Sequence, residues 1–447
     1  MRPSHLGRPW LALIAAIALA GCATPTTPQD PHPANTWLQE RVPGAPDLPW
    51  SGPPEAPVSL PEGPIGQDQA VALSLQRSPA LVALLARSDA LVALDRESQE
   101  ARSGLAAFDL LSWPWRHQAA ERRIDAEQRH LARQVLQHVQ DVRALWVQAV
   151  AAQQRLAYQA DVQRASRTAG ELARRMQQAG HFSAAQAARH EVSEIEAGLA
   201  LAQAQRQALA AREALVRRLG LSQEDAARLQ LPDRLPQVPQ TSPWTRESVE
   251  AAARQRRLDL RLAEARWQAA QADRRDGLAR SVIDLEAAYR RDTSNEAPVK
   301  QGPELGIRLV SIDFGAARRQ ATRLDERAAL AEWQQVSLNA ESQLRERLAD
   351  HQATLATAQQ AAQLLAPVRK RLLDERLKQY NGMLIGPFEL IDEARAHVSA
   401  VATALDAQRD FWLADAALVA AIDGLDGPDA GAARSTPSAT TNTEASH

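Results

Sequence analysis

The strongest constraint on this chain is that it carries the same plan twice. Gln178, Ala179, Gly180, His181 and Phe182 form a turn-like segment whose counterpart is Tyr380, Asn381, Gly382, Met383 and Leu384, an offset of 382 − 180 = 202. Earlier in each copy, Arg77, Ser78, Pro79, Ala80 and Leu81 line up with Arg256, Arg257, Leu258, Asp259 and Leu260, an offset of 258 − 79 = 179. The difference, 202 − 179 = 23, means that the second copy holds about 23 residues that the first lacks. Leu110, Leu111, Ser112, Trp113, Pro114 and Trp115 resemble Leu309, Val310, Ser311, Ile312, Asp313 and Phe314 at offset 199, so most of the loss falls before Leu110. Such a chain folds as two like units packed on one another.

Each unit reads as long helices. Aromatic residues are 4% of the chain, and Ala, Leu, Gln, Arg and Glu dominate, which is the composition of packed helices. Leu131, Val135, Val139, Val142, Trp146 and Val150 step by three or four and form one apolar stripe. Val192, Ile195 and Leu199 continue the pattern after Gly180, and Leu344, Leu348 and Leu355 repeat it in the second copy. Residues 116–178 contain no proline, and some 60 residues of helix are about 90 Å long. That length exceeds any compact core, so the stripe buries itself against neighbouring helices in a coiled-coil manner. The expected helices are 67–102, 116–178 and 183–219 in the first copy, and 245–279, 315–380 and 387–423 in the second. Gly180 and Gly382 suit the ends of the long helices, and Ser183 and Pro387 suit the starts of the next.

Between the second pair of helices the period changes to two. In 281–290, Ile283, Leu285, Ala287 and Tyr289 alternate with Asp284, Glu286 and Arg290; after a polar loop, Leu305, Ile307 and Leu309 alternate with Gly306 and Arg308. Strands of an outer-membrane barrel alternate in this way, and so does an ordinary half-buried hairpin. The first copy has room only for a shortened hairpin near 103–115, where Pro114 interrupts any strand.

The ends of the chain set its address. Arg2, His5 and Arg8 precede the eleven-residue apolar stretch 10–20, too short to span a bilayer and arranged like a secretory signal. Leu19, Ala20, Gly21 and Cys22 then resemble a bacterial lipobox, which implies cleavage after residue 21 and lipid on Cys22, with the outer membrane as destination. Cys22 is the only cysteine, so no disulfide forms within the chain. Residues 22–64 are crowded with proline and read as an extended tether, parts of which lie along the body through Trp37, Leu38, Val42, Leu48 and Trp50. Residues 231–244, with Pro232, Pro236, Pro239 and Pro243, link the copies, and 426–447 is a polar tail expected to be disordered.

With these segments in place the chain resembles the TolC-like outer-membrane efflux proteins. The resemblance covers about 66–425 and is most specific at Gly302, Pro303, Glu304, Leu305, Gly306 and Ile307 leading to Asp313, Phe314 and Gly315. It is equally specific at Tyr380, Asn381 and Gly382 leading to Phe388, Glu389, Leu390, Ile391 and Asp392. Arg218, Leu219, Gly220 and Leu221 look like the family's end of its first half. It implies a mainly α, tandem-repeat, long-helix α-barrel protomer with a small β-hairpin region at about 281–314. Residues 65–230 would be the first repeat and 245–425 the second. It further implies a homotrimer whose helix-tip turns at Gly180 and Gly382 dock a periplasmic adaptor, itself joined to an inner-membrane pump. Segment 380–388 looks like that of relatives linked to copper or other metal resistance.

In the family, acidic residues beside the second turn narrow the tunnel entrance, and Glu389 and Asp392 match them. Three apart on a helix, they share a face; six carboxylates in a trimer would form a ring suited to cations. Acids are also favoured in a first helical turn for electrostatic reasons alone. The spacing from Gly382 to Glu389 is one residue longer than the family pattern. Catalysis has no support: His130 and His138, and His181 and His190, lack metal-site spacing, and no phosphate loop or cofactor motif is present. A net charge of −2 gives no basic field for nucleic acid. Two functions remain, an export conduit and a TolC-derived, non-pore-forming accessory lipoprotein; the shortened first hairpin separates them.

Overall fold

The structure, a computed structural model, describes residues 38, 39, 41, 42, 45, 46, 48, 60–87, 90, 109–280, 284–291, 301–308 and 316–425. Cys22, the signal segment, most of the tether, 91–108, 309–315 and the tail lie outside those residues. The first repeat holds α1 (Gln67–Arg77), α2 (Pro79–Arg87), α3 (Asp109–Gln178) and α4 (Ala184–Leu219), followed by the short α5 (Gln223–Arg228). The second holds α6 (Arg246–Arg256), α7 (Leu258–Arg280), strands β1 (Asp284–Arg291) and β2 (Gln301–Arg308), α8 (Ala316–Gln359), a π turn (Gln360–Leu365), α9 (Ala366–Asn381) and α10 (Pro387–Ile422).

The helices expected to run unbroken from 67 to 102 and from 245 to 279 each show a break among the described residues, at equivalent positions. Ser78 has φ −67°, ψ 115° and Arg257 has φ −65°, ψ 114°, so each steps out of the helix in the same way. At Ser78 the cause is local, because Pro79 disfavours helical geometry in the residue before it. At Arg257 no proline follows; the break is made by tertiary contact, with the Leu258 amide donating to the Asp423 carbonyl at the end of α10. Both breaks receive the end of their own return helix. Gly220 (φ +70°) and Gly424 (φ +75°) turn the chain in the left-handed region against residues 77–79 and Asp259, respectively.

The expected short strand near 103–115 is not found in 109–115, where α3 already runs and carries Pro114 within it. Pro114, the sixth residue of α3, has no amide hydrogen for the Leu110 carbonyl, and the helix continues through it. The second hairpin does form. β1 and β2 pair antiparallel with Leu285 opposite Ile307 and Ala287 opposite Leu305, so the residues expected to share a face are cross-strand partners. The strands sit further toward the loop than expected: Arg291, Gln301 and Gly302, assigned to the loop by sequence, are paired.

Packing follows the stripe. Val135, Val139, Val142, Trp146 and Val150 of α3 are buried with Val71 and Leu75 of α1, Leu215 and Leu219 of α4, and the tether residues Leu38, Val42 and Leu48. Trp146 uses its polar edge as well, donating from Nε1 to the Ile65 carbonyl at 2.8 Å. A smaller core joins Val249 and Ala253 of α6 to Leu344 and Leu348 of α8 and Leu418 and Ile422 of α10. Arg41 of the tether is buried beside Asp423, 3.7 Å from its carboxylate, and donates to the Arg256 carbonyl at 3.0 Å. Asp423 also takes Arg256 Nε at 2.9 Å, and its burial raises its pKa in spite of both guanidiniums.

Candidate functional site

The two tip turns are built on one pattern. At the end of α3 the His181 amide donates to the Met176 carbonyl at 2.9 Å and the Gly180 amide to Gln177 at 3.0 Å, with Gly180 at φ +76°. This is a six-to-one plus five-to-two helix end around a left-handed residue. At the end of α9 the Leu384 amide donates to Gln379 and the Met383 amide to Tyr380, both at 2.9 Å. Here the left-handed residue is Met383, at φ +59°, and Gly382 keeps φ −81°. The expectation that Gly382 caps α9 as Gly180 caps α3 is therefore corrected by one residue.

That correction changes the register of the repeat. Met383 pairs with Gly180 at 383 − 180 = 203, and the N-caps Ser183 and Gly386 pair at 386 − 183 = 203. Within the return helices, Ala204, Gln205 and Arg206 match Ala407, Gln408 and Arg409 at the same offset. Counted from Met383, the spacing to Glu389 is six, and the extra residue noted from Gly382 disappears. Upstream, the buried Ala340, Leu344, Leu348 and His351 match the buried His138, Val142, Trp146 and Ala149 at offset 202. The π turn between them supplies the one extra residue, as such turns do.

Glu389 and Asp392 lie in the first two turns of α10, both exposed, and each has an arginine within reach. Arg376 of α9 is 3.9 Å from Glu389, and Arg395 is 4.0 Å from Asp392. Further along, Arg369 of α9 reaches Glu393 at 3.3 Å, and in the first repeat Arg174 of α3 reaches Glu194 of α4 at 3.1 Å. The structure thus brings the two acids to the mouth of the second hairpin, next to the turn, with ion pairs crossing it. The turns themselves expose apolar groups: Met383 is 94% exposed, and Leu384 is also open.

The four histidines considered in the sequence, His130, His138, His181 and His190, go to different environments. His130 is exposed and meets Gln134 at 3.1 Å; His181 is exposed in the tip turn; His190 stacks on Phe182 with ring centres 6.0 Å apart. His138 is buried on α3, where desolvation first and the charge of Arg218 second lower its pKa to about 4. Sequence reading passed over His351, which is fully buried, meets the Asp415 carboxylate at 3.2 Å and packs on Phe411. Among the described residues no three metal-ligating side chains gather. Nor is any single described helix long and apolar enough to cross a membrane, which says nothing of a barrel.

This arrangement of two helical hairpins per chain matches known structures. The outer-membrane channel OprN aligns over 86% of this chain and 99% of its own, with TM-score 0.65 and 17% identity. The MtrE outer membrane channel of Neisseria gonorrhoeae, in its open state, aligns over 91% and 99%, with TM-score 0.60 and 16% identity. The chain has the TolC-like fold. The CmeC outer membrane channel of Campylobacter jejuni shares it over 92% of this chain and 95% of its own, with TM-score 0.61 and 10% identity. No family model matches the sequence, and no curated protein matches it. Within the TolC-like fold the likeness is therefore one of backbone path, kept while most side chains differ.

Proposed function

We propose that this protein is an outer-membrane lipoprotein that forms the export conduit of a tripartite efflux system. It works as a homotrimer anchored through Cys22, and it meets a periplasmic adaptor and an inner-membrane pump through the turns at Gly180 and at Gly382 and Met383. It performs no catalysis. The observation that carries this reading is a joint made once inside the chain and left open at both edges. α3 packs on α10, with Arg155 paired to Asp406 and Tyr158 Oη donating to the Val398 carbonyl at 3.2 Å. The repeat mate of α10 is α4, and the mates of Val398 and Ala402 are Ile195 and Leu199. These two are 56% and 68% exposed. On the other edge the π turn presents Leu364, and α9 presents Val368 and Leu372. Edges that repeat an internal joint are what a closed head-to-tail ring requires.

Glu389 and Asp392 would narrow the entrance of that ring, held by Arg376 and Arg395 until an adaptor engages. Metal ions are a candidate cargo on the likeness of segment 380–388; a deletion strain with unchanged copper tolerance would remove that candidate.

A second reading, a TolC-derived accessory lipoprotein without a pore, is favoured by one observation. Residues 109–115 are helical, and β1 and β2 are the only strands among the described residues. The two described strands per chain give six in a trimer, counted over the described residues alone, against the roughly eight at which transmembrane barrels begin. Single-channel recording on the purified homotrimer, paired with its native mass, separates the two. A large stable conductance supports the conduit, and Glu389→Ala with Asp392→Ala should then raise the conductance of the resting state without unfolding the protein. A correctly assembled trimer with no conductance supports the accessory reading, and unchanged conductance in the double variant takes both acids out of the gate.

A further inference from the structure

The joint between α3 and α10 has a readable register. Arg155 pairs with Asp406, and Tyr158 reaches the Val398 carbonyl, so the two helices run antiparallel. Three turns back along α3 from Arg155, at 155 − 144 = 11 residues, Ala144 lies on the same face. Three turns on along α10 from Asp406, at 417 − 406 = 11 residues, Ala417 comes level with it, and Ala420 follows on the next turn. All three alanines are buried, and Ala144 and Ala420 belong to one apolar core.

The open edges carry the same positions with different chemistry. At the offset of 202 that relates α3 to α8, and of 203 that relates α4 to α10, Arg155 matches Thr357 and Asp406 matches Gln203. The ion pair of the inner joint therefore has no counterpart outside it. Ala144, by contrast, matches Glu346, and Ala420 matches Arg217. Two small apolar residues that meet inside the chain correspond to two opposite charges on its two edges. Both charges are exposed, and among the described residues neither has an ion-pair partner. The face of α8 that bears Glu346 is open as a whole: Leu338 is 63% exposed, whereas its mate Leu136 on α3 is 2% exposed.

We propose that Arg217 of one copy pairs with Glu346 of the next, three turns from the level at which Arg155 and Asp406 close the joint within each chain. This rests on the ring reading given above. In the register of the inner joint Glu346 is level with Ala214 of the neighbour, the mate of Ala417, and Arg217 lies about 4.5 Å further along the axis, within reach of two long side chains. Ala349 and Ala353 on α8, and Ala210 on α4, are small enough to let the helices approach on the far side of the pair.

The pair also makes the two joints non-interchangeable. With α4 in the place of α10, Arg217 faces Ala144 and Arg155 faces Gln203. With α10 in the place of α4, Glu346 faces Ala420 and Asp406 faces Thr357. Each exchange strands charges that have partners in the proper arrangement, so copies join only edge to edge and in one direction.

The test uses the full-length protein in detergent and follows, by native mass, the exchange of subunits between tagged and untagged assemblies. Arg217→Glu brings two carboxylates together and Glu346→Arg two guanidiniums, and each should speed exchange by about tenfold. The double variant, Arg217→Glu with Glu346→Arg, restores the pair in reverse and should exchange within about threefold of wild type. Single variants that exchange at the wild-type rate, or a double variant no slower than the faster single, overturn the pair while leaving the ring in place. A wild-type chain that is monomeric throughout overturns the ring itself, and the pair with it.

Discussion

Replacing Gly220 by alanine asks whether the end of α4 is seated in the break of α1 and α2 as the structure shows. Two effects add. Gly220 has φ +70° and ψ 34°, where any L-residue carries a cost of about 1–2 kcal/mol. An added Cβ would also lie 2.8 Å from the Arg77 carbonyl oxygen, 2.6 Å from Pro79 Cδ and 3.1 Å from Ser78 Cα. These are backbone and ring atoms that cannot swing aside, and overpacking of this kind costs about 1–3 kcal/mol more. Gly220→Ala should therefore destabilise by about 2–5 kcal/mol. Gly180→Ala shares the backbone conformation (φ +76°) but meets nothing within 4 Å, so it should stop at about 1–2 kcal/mol. Gly198→Ala sits inside α4 with open space around it and should stabilise by about 0.5–1 kcal/mol. Reversible urea unfolding of the detergent-solubilised protein, followed by far-ultraviolet circular dichroism, ranks the three. If Gly220→Ala costs no more than Gly180→Ala, the helix end is not docked in the break and the packing argument is wrong.

Met383→Gly should raise the melting temperature, since it relieves a left-handed non-glycine worth about 1 kcal/mol at a side chain with almost no buried surface to lose; an unchanged or lower value would place the left-handed residue elsewhere. His138 should make stability depend on pH. Its folded pKa of about 4 lies below the ordinary 6.5, so its contribution is complete above about 6.5 and is lost as pH falls toward 4, amounting to about 3 kcal/mol. His138→Leu should flatten the urea midpoint over that window, and an identical slope in both proteins would refute the assignment. Cys22→Ala should abolish the acyl mass and release the protein from outer-membrane fractions, whereas a wild-type chain that retains residues 1–21 would end the lipoprotein reading.

Most of the helical plan could be read from period and composition, because long amphipathic helices announce themselves residue by residue. What could not be read had its cause elsewhere in the chain. The break before Pro79 carries its own signal, whereas the break at Arg257 depends on the Asp423 carbonyl, 165 positions away by 423 − 258. The tip turn misled for the opposite reason: Gly382 is the residue type expected at a helix end, yet Met383 holds the left-handed position. Glu389 and Asp392 were legible as acids of a first turn, but the arginines facing them come partly from another helix.

The π turn at 360–365 has one more consequence. One extra residue in a straight α-helix would turn everything beyond it by about 100° about the helix axis, so the second tip turn would face a different side of α9. Widening a single turn confines the added residue to that turn, and Pro367, which has no amide hydrogen to return to Gln363, lies immediately beyond it. The two hairpins therefore end in phase although their sequences are out of step. Deleting one residue from 360–365 should leave the tip where it is and convert the wide turn into ordinary helix, whereas a deletion elsewhere in α9 should rotate Met383 out of alignment with Gly180.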